Sequence, residues 1–226
     1  MFRDKTPARL GIGHSGARMK TKDFLKLRQD HARAVDAVWS YVDEEKLAKL
    51  GFKIVNTLVE SKEEYIRRPD KGRRFSAETI EDLKKTCISN PTVQIIAADG
   101  LSSPAIDSNV EDIYSILIDG FRNRNIKVGT PIFVRYGRVA TMDYISEALN
   151  AEVTILLVGE RPGLVTGESM SAYMAYKSSP SKPESQRTVV SNIHKNGLYA
   201  VEAGAQIIHI TEIMLQKKIS GVALKV

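Results

Sequence analysis

A single cysteine, Cys87, in 226 residues excludes an internal disulfide and any zinc site built from several cysteines. A reducing cytoplasm is the natural compartment for such a chain. Long apolar runs are also missing: none approaches the roughly 20 residues of a membrane span, and Met1 to Met19 has no apolar stretch of the signal-peptide kind. The sequence carries no Walker-type phosphate loop, no H-E-x-x-H and no G-x-S-x-G elbow, and no spacing pairs its four histidines as metal ligands. Neither sign of charge dominates, with 33 basic against 27 acidic residues and a formal net charge of +6. The densest basic group, Arg67-Arg68 with Lys71, Arg73 and Arg74, lies beside acidic residues without interleaved aromatics. Nucleic acid is therefore not an expected partner; a solvated face or an acidic partner surface is.

What is present is an ordinary globular composition, 42% hydrophobic and 27% charged. A chain of this length buries roughly 70 to 75% of its unfolded surface, enough for a substantial core. The run Val153 to Gly163 organises the reading. Val-Thr-Ile-Leu-Leu-Val is too continuously apolar for a strand with one wet face, so it predicts a strand buried on both sides. Glu160 and Arg161 follow where open α/β sheets bind ligands, beyond a strand's carboxyl end. Val93 to Ala98 and Ile132 to Arg135 read as two further buried strands, ending in Asp99-Gly100-Leu101-Ser102 and Tyr136-Gly137-Arg138-Val139. A helix to about Arg122, with Ser108 and Glu111 as its capping box, and one from about Met142 to Leu149 separate the three strands. This alternation predicts right-handed βαβ units and a parallel sheet.

Elsewhere the signals are more local. Thr21 is positioned to cap a helix to about Tyr41, with Leu27, His31, Ala34, Val35 and Val38 on an apolar face and His31 a core or interface residue. Phe52 to Val59 reads as a strand, with Glu64 to Arg67 pairing back as a hairpin. Pro69, Asp70 and Gly72 then form a turn, and Ser76 caps a helix to about Cys87. Ser171 to Lys177 and Thr188 to Val190 are outer strands, Ser178 to Ser185 is a loop, and a last helix spans about Tyr199 to Lys218, ended by Gly221. The fold class is α/β: a Rossmann-like, doubly wound, mostly parallel sheet with an N-terminal helical arm. Residues 1–50 are the arm and long helix, suited to subunit contacts, and residues 51–226 the ligand-binding domain.

Gly11-Ile12-Gly13-His14-Ser15-Gly16 matches the dinucleotide fingerprint G-x-G-x-x-G. Only Ala8 to Leu10 precedes it as a scrap of strand, and Asp36, where a ribose-binding carboxylate would end a second strand, sits inside a helical pattern. A glycine-rich arm docking on a neighbour fits better, with a non-catalytic nucleotide-binding or structural assembly module as the alternative. Asp99 and Glu160 are open to two readings, an acid/base pair or carboxylates that hold loops or ligands. The residues alone define a ligand-binding α/β domain and leave its activity open.

Several blocks in order resemble one family: Ala8-Arg9-Leu10, Asp30-His31, Arg68-Pro69-Asp70-Lys71-Gly72-Arg73-Arg74, Asp99-Gly100-Leu101-Ser102, Val128 to Val139, Leu156 to Leu164 and Ser191-Asn192-Ile193-His194. On these blocks, from about Thr6 to the C-terminus, the chain resembles the small (light) subunit of ethanolamine ammonia-lyase. The resemblance implies an adenosylcobalamin cofactor clamped between this chain and a TIM-barrel large subunit, which binds ethanolamine and converts it to acetaldehyde and ammonia by radical chemistry. It also implies cobalamin contacts at Val139 and Glu160. A third contact, usually a cysteine, falls on Val189, so an apolar or backbone contact is expected there and a thiol role is not. No histidine stands in a D-x-H-x-x-G pattern, so the cofactor is expected to keep its own base. The family's setting is often a bacterial microcompartment, and its longer N-terminal extension, where a targeting signal would lie, is absent from this sequence.

Overall fold

Val153–Gly159 is buried at every one of its seven residues, and the rest of the molecule is layered around it. The computed structural model describes residues 5–225. Six strands form the main sheet: β3 (Lys53–Asn56), β4 (Val93–Ala98), β5 (Ile132–Arg135), β6 (Val153–Gly159), β7 (Met170–Tyr176) and β8 (Thr188–Ile193), in the order β3-β5-β4-β6-β7-β8. The first four in that order run parallel; β7 pairs antiparallel to β6, and β8 antiparallel to β7. The fold is thus α/β with a mixed, mostly parallel sheet, consistent with a Rossmann-like class.

Alternate side chains of each central strand point to opposite faces, and each face is closed by helices. Ile95, Ala97, Phe133, Ile155 and Leu157 pack under α5 (Ser103–Arg122) and α7 (Ala200–Lys217). Ile96, Ala98, Val134, Leu156 and Val158 pack under α4 (Ala77–Thr86) and α6 (Thr141–Leu149). Each fully buried Ile or Leu contributes about 1.5 to 3 kcal/mol, which is why this double-sided burial selects the strand state. From β4 the chain crosses by α5 to β5 on one side; from β5 it crosses by α6, over the opposite face, to β6 on the other. The reversal places the carboxyl ends of β4, β5 and β6 side by side.

The N-terminal elements are lighter. A two-strand hairpin, β1 (His14–Ser15) with β2 (Arg18–Met19), precedes α1 (Thr21–Trp39), and α2 (Glu44–Lys49) follows. Asp30 is the buried anchor of this region. Its carboxylate accepts from Arg9 (2.5 Å), Lys26 (2.8 Å) and Arg33 (3.0 Å), and the Lys26 and Arg9 contacts hold it below the usual carboxylate range. Arg9 thereby fastens the segment before the hairpin to α1. No described helix is long and apolar enough to cross a membrane.

Several local expectations are corrected. Glu64 to Arg67 is not a strand but part of α3 (Lys62–Arg67), because Ser61 accepts from the Glu64 N–H (3.2 Å) and Glu64 reaches back to the Glu60 N–H (2.9 Å), closing a first helical turn. α5 begins at Ser103, capped by Ser102, and Ser108 lies inside it. Pro104 suits that first turn, where its missing N–H costs nothing. α1 is preceded by Lys20 without a side-chain cap, and it ends at Trp39 rather than at about Tyr41. Lys218, in the left-handed conformation, ends α7, and Gly221 belongs to a following short turn. His31 is exposed rather than in the core. The Gly11 to Gly16 segment forms the β1–β2 turn region and does not open a helix, since α1 starts only at Thr21.

Candidate functional site

The three strand-end loops meet, and they do so through backbone contact. The Leu101 N–H donates to the Gly159 carbonyl (3.0 Å). Gly100 adopts φ +57° there, and a Cβ on either glycine would drive into the other loop's backbone. Two glycines are thus required for the β4 and β6 loops to touch.

Asp99 fixes the third loop. Its two carboxylate oxygens accept the N–H groups of Tyr136 and Gly137, both at 3.0 Å. Tyr136 is held at φ +57°, an unusual conformation for an aromatic residue that these bonds compensate. Burial pushes the Asp99 carboxyl up, while Lys62 and the two backbone donors oppose the shift. The Lys62 ammonium is itself buried, 3.6 Å from Asp99 Oδ2.

α3 closes the outer side of the same loop. The Tyr65 hydroxyl donates to the Gly137 carbonyl (2.9 Å), and Arg138 donates to the Tyr65 carbonyl (2.9 Å) with its guanidinium 4.4 Å above the Tyr65 ring. Burial, reinforced by the Asp99 charge, pushes the Tyr65 phenol up, so it stays a donor. The Arg138 N–H donates to the Gly72 carbonyl (2.9 Å). The basic-rich turn read from Arg68 to Arg74 thus supplies backbone support here.

Between these walls lies a crevice of about 270 Å³, lined by Leu101, Val139, Val158, Glu160 and Arg161 among others. Val139 and Glu160 are therefore brought together on opposite walls. Glu160 accepts from the Tyr173 hydroxyl (3.3 Å), not from Arg161, whose side chain is exposed. Val189 is not in this crevice. It sits 47% exposed on β8, opposite Tyr173 in the ladder, on the sheet face that also carries Val139. Asp99 and Glu160 do not form an acid/base pair, because both Asp99 oxygens are committed to backbone inside the protein. Among the described residues no group of three His, Cys, Asp or Glu is disposed to hold a metal ion.

Sequence reading missed Lys62, Tyr65 and Tyr173. The first two follow from the Ser61-x-x-Glu64 signal that starts α3, and Tyr173 from the β6–β7 register, which no local pattern states.

Fold and crevice together define a Rossmann-like α/β domain with a crevice assembled from its strand-end loops. Residues 1–225 match the family model described as ethanolamine ammonia-lyase light chain (EutC). Over 221 residues the chain is 60% identical to an ethanolamine ammonia-lyase small subunit of Clostridium acetobutylicum, covering 98% of this chain and 91% of that one. It is 55% identical to the Clostridium perfringens small subunit, covering 98% and 75%, and 48% identical to one from Listeria monocytogenes, covering 99% and 76%. The chain belongs to the ethanolamine ammonia-lyase small-subunit family, and is accordingly a subunit of a lyase.

Proposed function

We propose that this chain binds adenosylcobalamin together with the enzyme's TIM-barrel large subunit, on which ethanolamine is converted to acetaldehyde and ammonia. The observation that carries the proposal is the pairing of Val139 and Glu160 across one crevice at the strand ends. These are two of the three positions that resemblance to the family marks for cobalamin; the third, Val189, lies outside the crevice. When bound, adenosylcobalamin supplies the radical chemistry; this chain's residues bind, orient and shield.

The residues fit such a group in chemistry and in size. Glu160 offers a charged acceptor for amide or hydroxyl donors, and Leu101, Val139 and Val158 offer apolar contact to a macrocycle edge. A crevice of about 270 Å³ admits an edge of a corrin and leaves the remainder to be covered by a second chain. α1 supplies a surface for that chain. Phe24, Leu25, Val35 and Trp39 are between 41% and 61% exposed, and an apolar groove of about 490 Å³ between α1 and Pro162 to Leu164 adjoins the crevice at Leu101 and Arg161. In this reading residues 1–50 make subunit contacts and residues 51–226 carry the cofactor site. The cytoplasm, inside a bacterial microcompartment, is the proposed setting.

Co-expression with the large subunit and titration with adenosylcobalamin tests the proposal by absorbance. A saturable spectral change is expected for the complex and not for this chain alone. A complex that forms and deaminates ethanolamine with the cobalamin contacts confined to the large subunit would reduce this chain to an assembly module. Val189→Cys adds a second readout. Cys87 is buried, so among this chain's thiols a maleimide should label the new one selectively, and cobalamin bound to the complex should slow labelling of this chain at least fivefold. Equal labelling with and without cobalamin would place Val189 outside the site.

A further inference from the structure

Lys62 is a buried lysine with an unusual environment. Its side chain is 3% exposed, yet its ammonium has no hydrogen-bond partner among the described residues. Three tyrosine rings surround it, with centroids 5.5 Å (Tyr41), 5.7 Å (Tyr65) and 5.9 Å (Tyr136) away. A buried ammonium that makes no hydrogen bond is costly, and ring faces recover only part of that cost. The remaining compensation is Asp99, 3.6 Å away, just beyond hydrogen-bond length.

Asp99 in turn is committed on both oxygens to the Tyr136 and Gly137 amides, the backbone that immediately precedes Arg138 and Val139. We propose that Lys62 is the positioning residue of the crevice wall that carries Val139: its caged charge keeps Asp99 in the form that grips the Tyr136–Gly137 backbone. Lys62 does not line the crevice, so it acts through Asp99 and not by touching a ligand. Tyr41 completes the cage from the stretch linking α1 to α2 and is itself 63% exposed.

The ligand half of the test rests on the cobalamin reading; the backbone half does not. In the complex with the large subunit, Lys62→Met should weaken cyanocobalamin binding by about tenfold, since removing one member of a buried pair leaves the other uncompensated. Without ligand, it should speed hydrogen exchange at the Tyr136 and Gly137 amides while the β6 amides exchange as before. Combining it with Asp99→Asn should cost no more than the worse single substitution, because both act on one link. Tyr41→Ala alters an exposed ring and spares the core, and should give the same local acceleration to a smaller degree. Unchanged exchange at Tyr136 and Gly137 in Lys62→Met overturns the proposal, as do additive losses in the double variant. Should Lys62→Met not fold, unchanged exchange in Tyr41→Ala overturns it instead. If the unaltered complex binds no cobalamin, the cofactor reading fails while the exchange result still decides the role of Lys62.

Discussion

Gly159→Ala is expected to lower the melting temperature of the chain by about 6 to 12 °C. A Cβ at this position would stand 2.1 Å from the Ser102 carbonyl oxygen and 2.5 Å from that of Asp99. Both obstacles are backbone, so no rotamer change relieves the clash, and the β4 and β6 loops must separate. Overpacking of this kind costs typically 1 to 3 kcal/mol and more where backbone must move. Taking about 3 kcal/mol, with roughly 2 to 4 °C per kcal/mol for a chain of this size, gives the stated range. Gly163→Ala is the internal control. The nearest atom to its Cβ is 3.9 Å away, so its effect should stay within about 0.5 kcal/mol. Thermal unfolding followed by circular dichroism separates the two, and equal melting temperatures would contradict the close approach of the loops.

Glu160→Ala is expected to weaken cobalamin binding by the assembled complex roughly 10- to 100-fold, the worth of one or two hydrogen bonds to a charged acceptor at about 1.5 to 3 kcal/mol. The fold should not suffer. Glu160 is only partly buried, and its one side-chain hydrogen bond among the described residues, from Tyr173, is long at 3.3 Å. The pair of measurements matters: an unchanged melting temperature with weakened binding identifies a ligand contact, whereas unchanged affinity reduces Glu160 to a loop-holding carboxylate.

The parts of this molecule legible in sequence are those set by local pattern and double-sided burial. The apolar runs Val93 to Ala98, Ile132 to Arg135 and Val153 to Gly159 are continuous enough to demand cover on both faces, and Ser76 announces α4. The convergence of their loops followed from the βαβ alternation alone. Other features depended on competition between signals. Tyr65 and Ile66 favour a strand on propensity, but the capping exchange of Ser61, Glu64 and Glu60 decides for a helix, and Pro104 outranks Ser108 as the marker of where α5 starts. The grip of Asp99 on Tyr136 and Gly137 was not legible. It spans 37 and 38 residues and exists only because β5 lies beside β4, an adjacency the sequence implies without giving its register.

The β3–β5 ladder has a consequence for how the chain acquires its structure. Lys53 pairs with Ile132 and Asn56 with Arg135, so β3 leaves the ribosome long before its partner exists, while the pairings of β6 with β7 and of β7 with β8 join near neighbours in sequence. Contacts closed over long loops are paid for in entropy before they return anything, and they form late. β4, α5 and β5 are therefore expected to gain hydrogen-exchange protection before β3 does during refolding, with the N-terminal third docking onto them afterwards. Lys62 and Tyr65 belong to that docking segment, so the loop bearing Val139 is expected to reach its final shape only when the earliest-made part of the chain has come home.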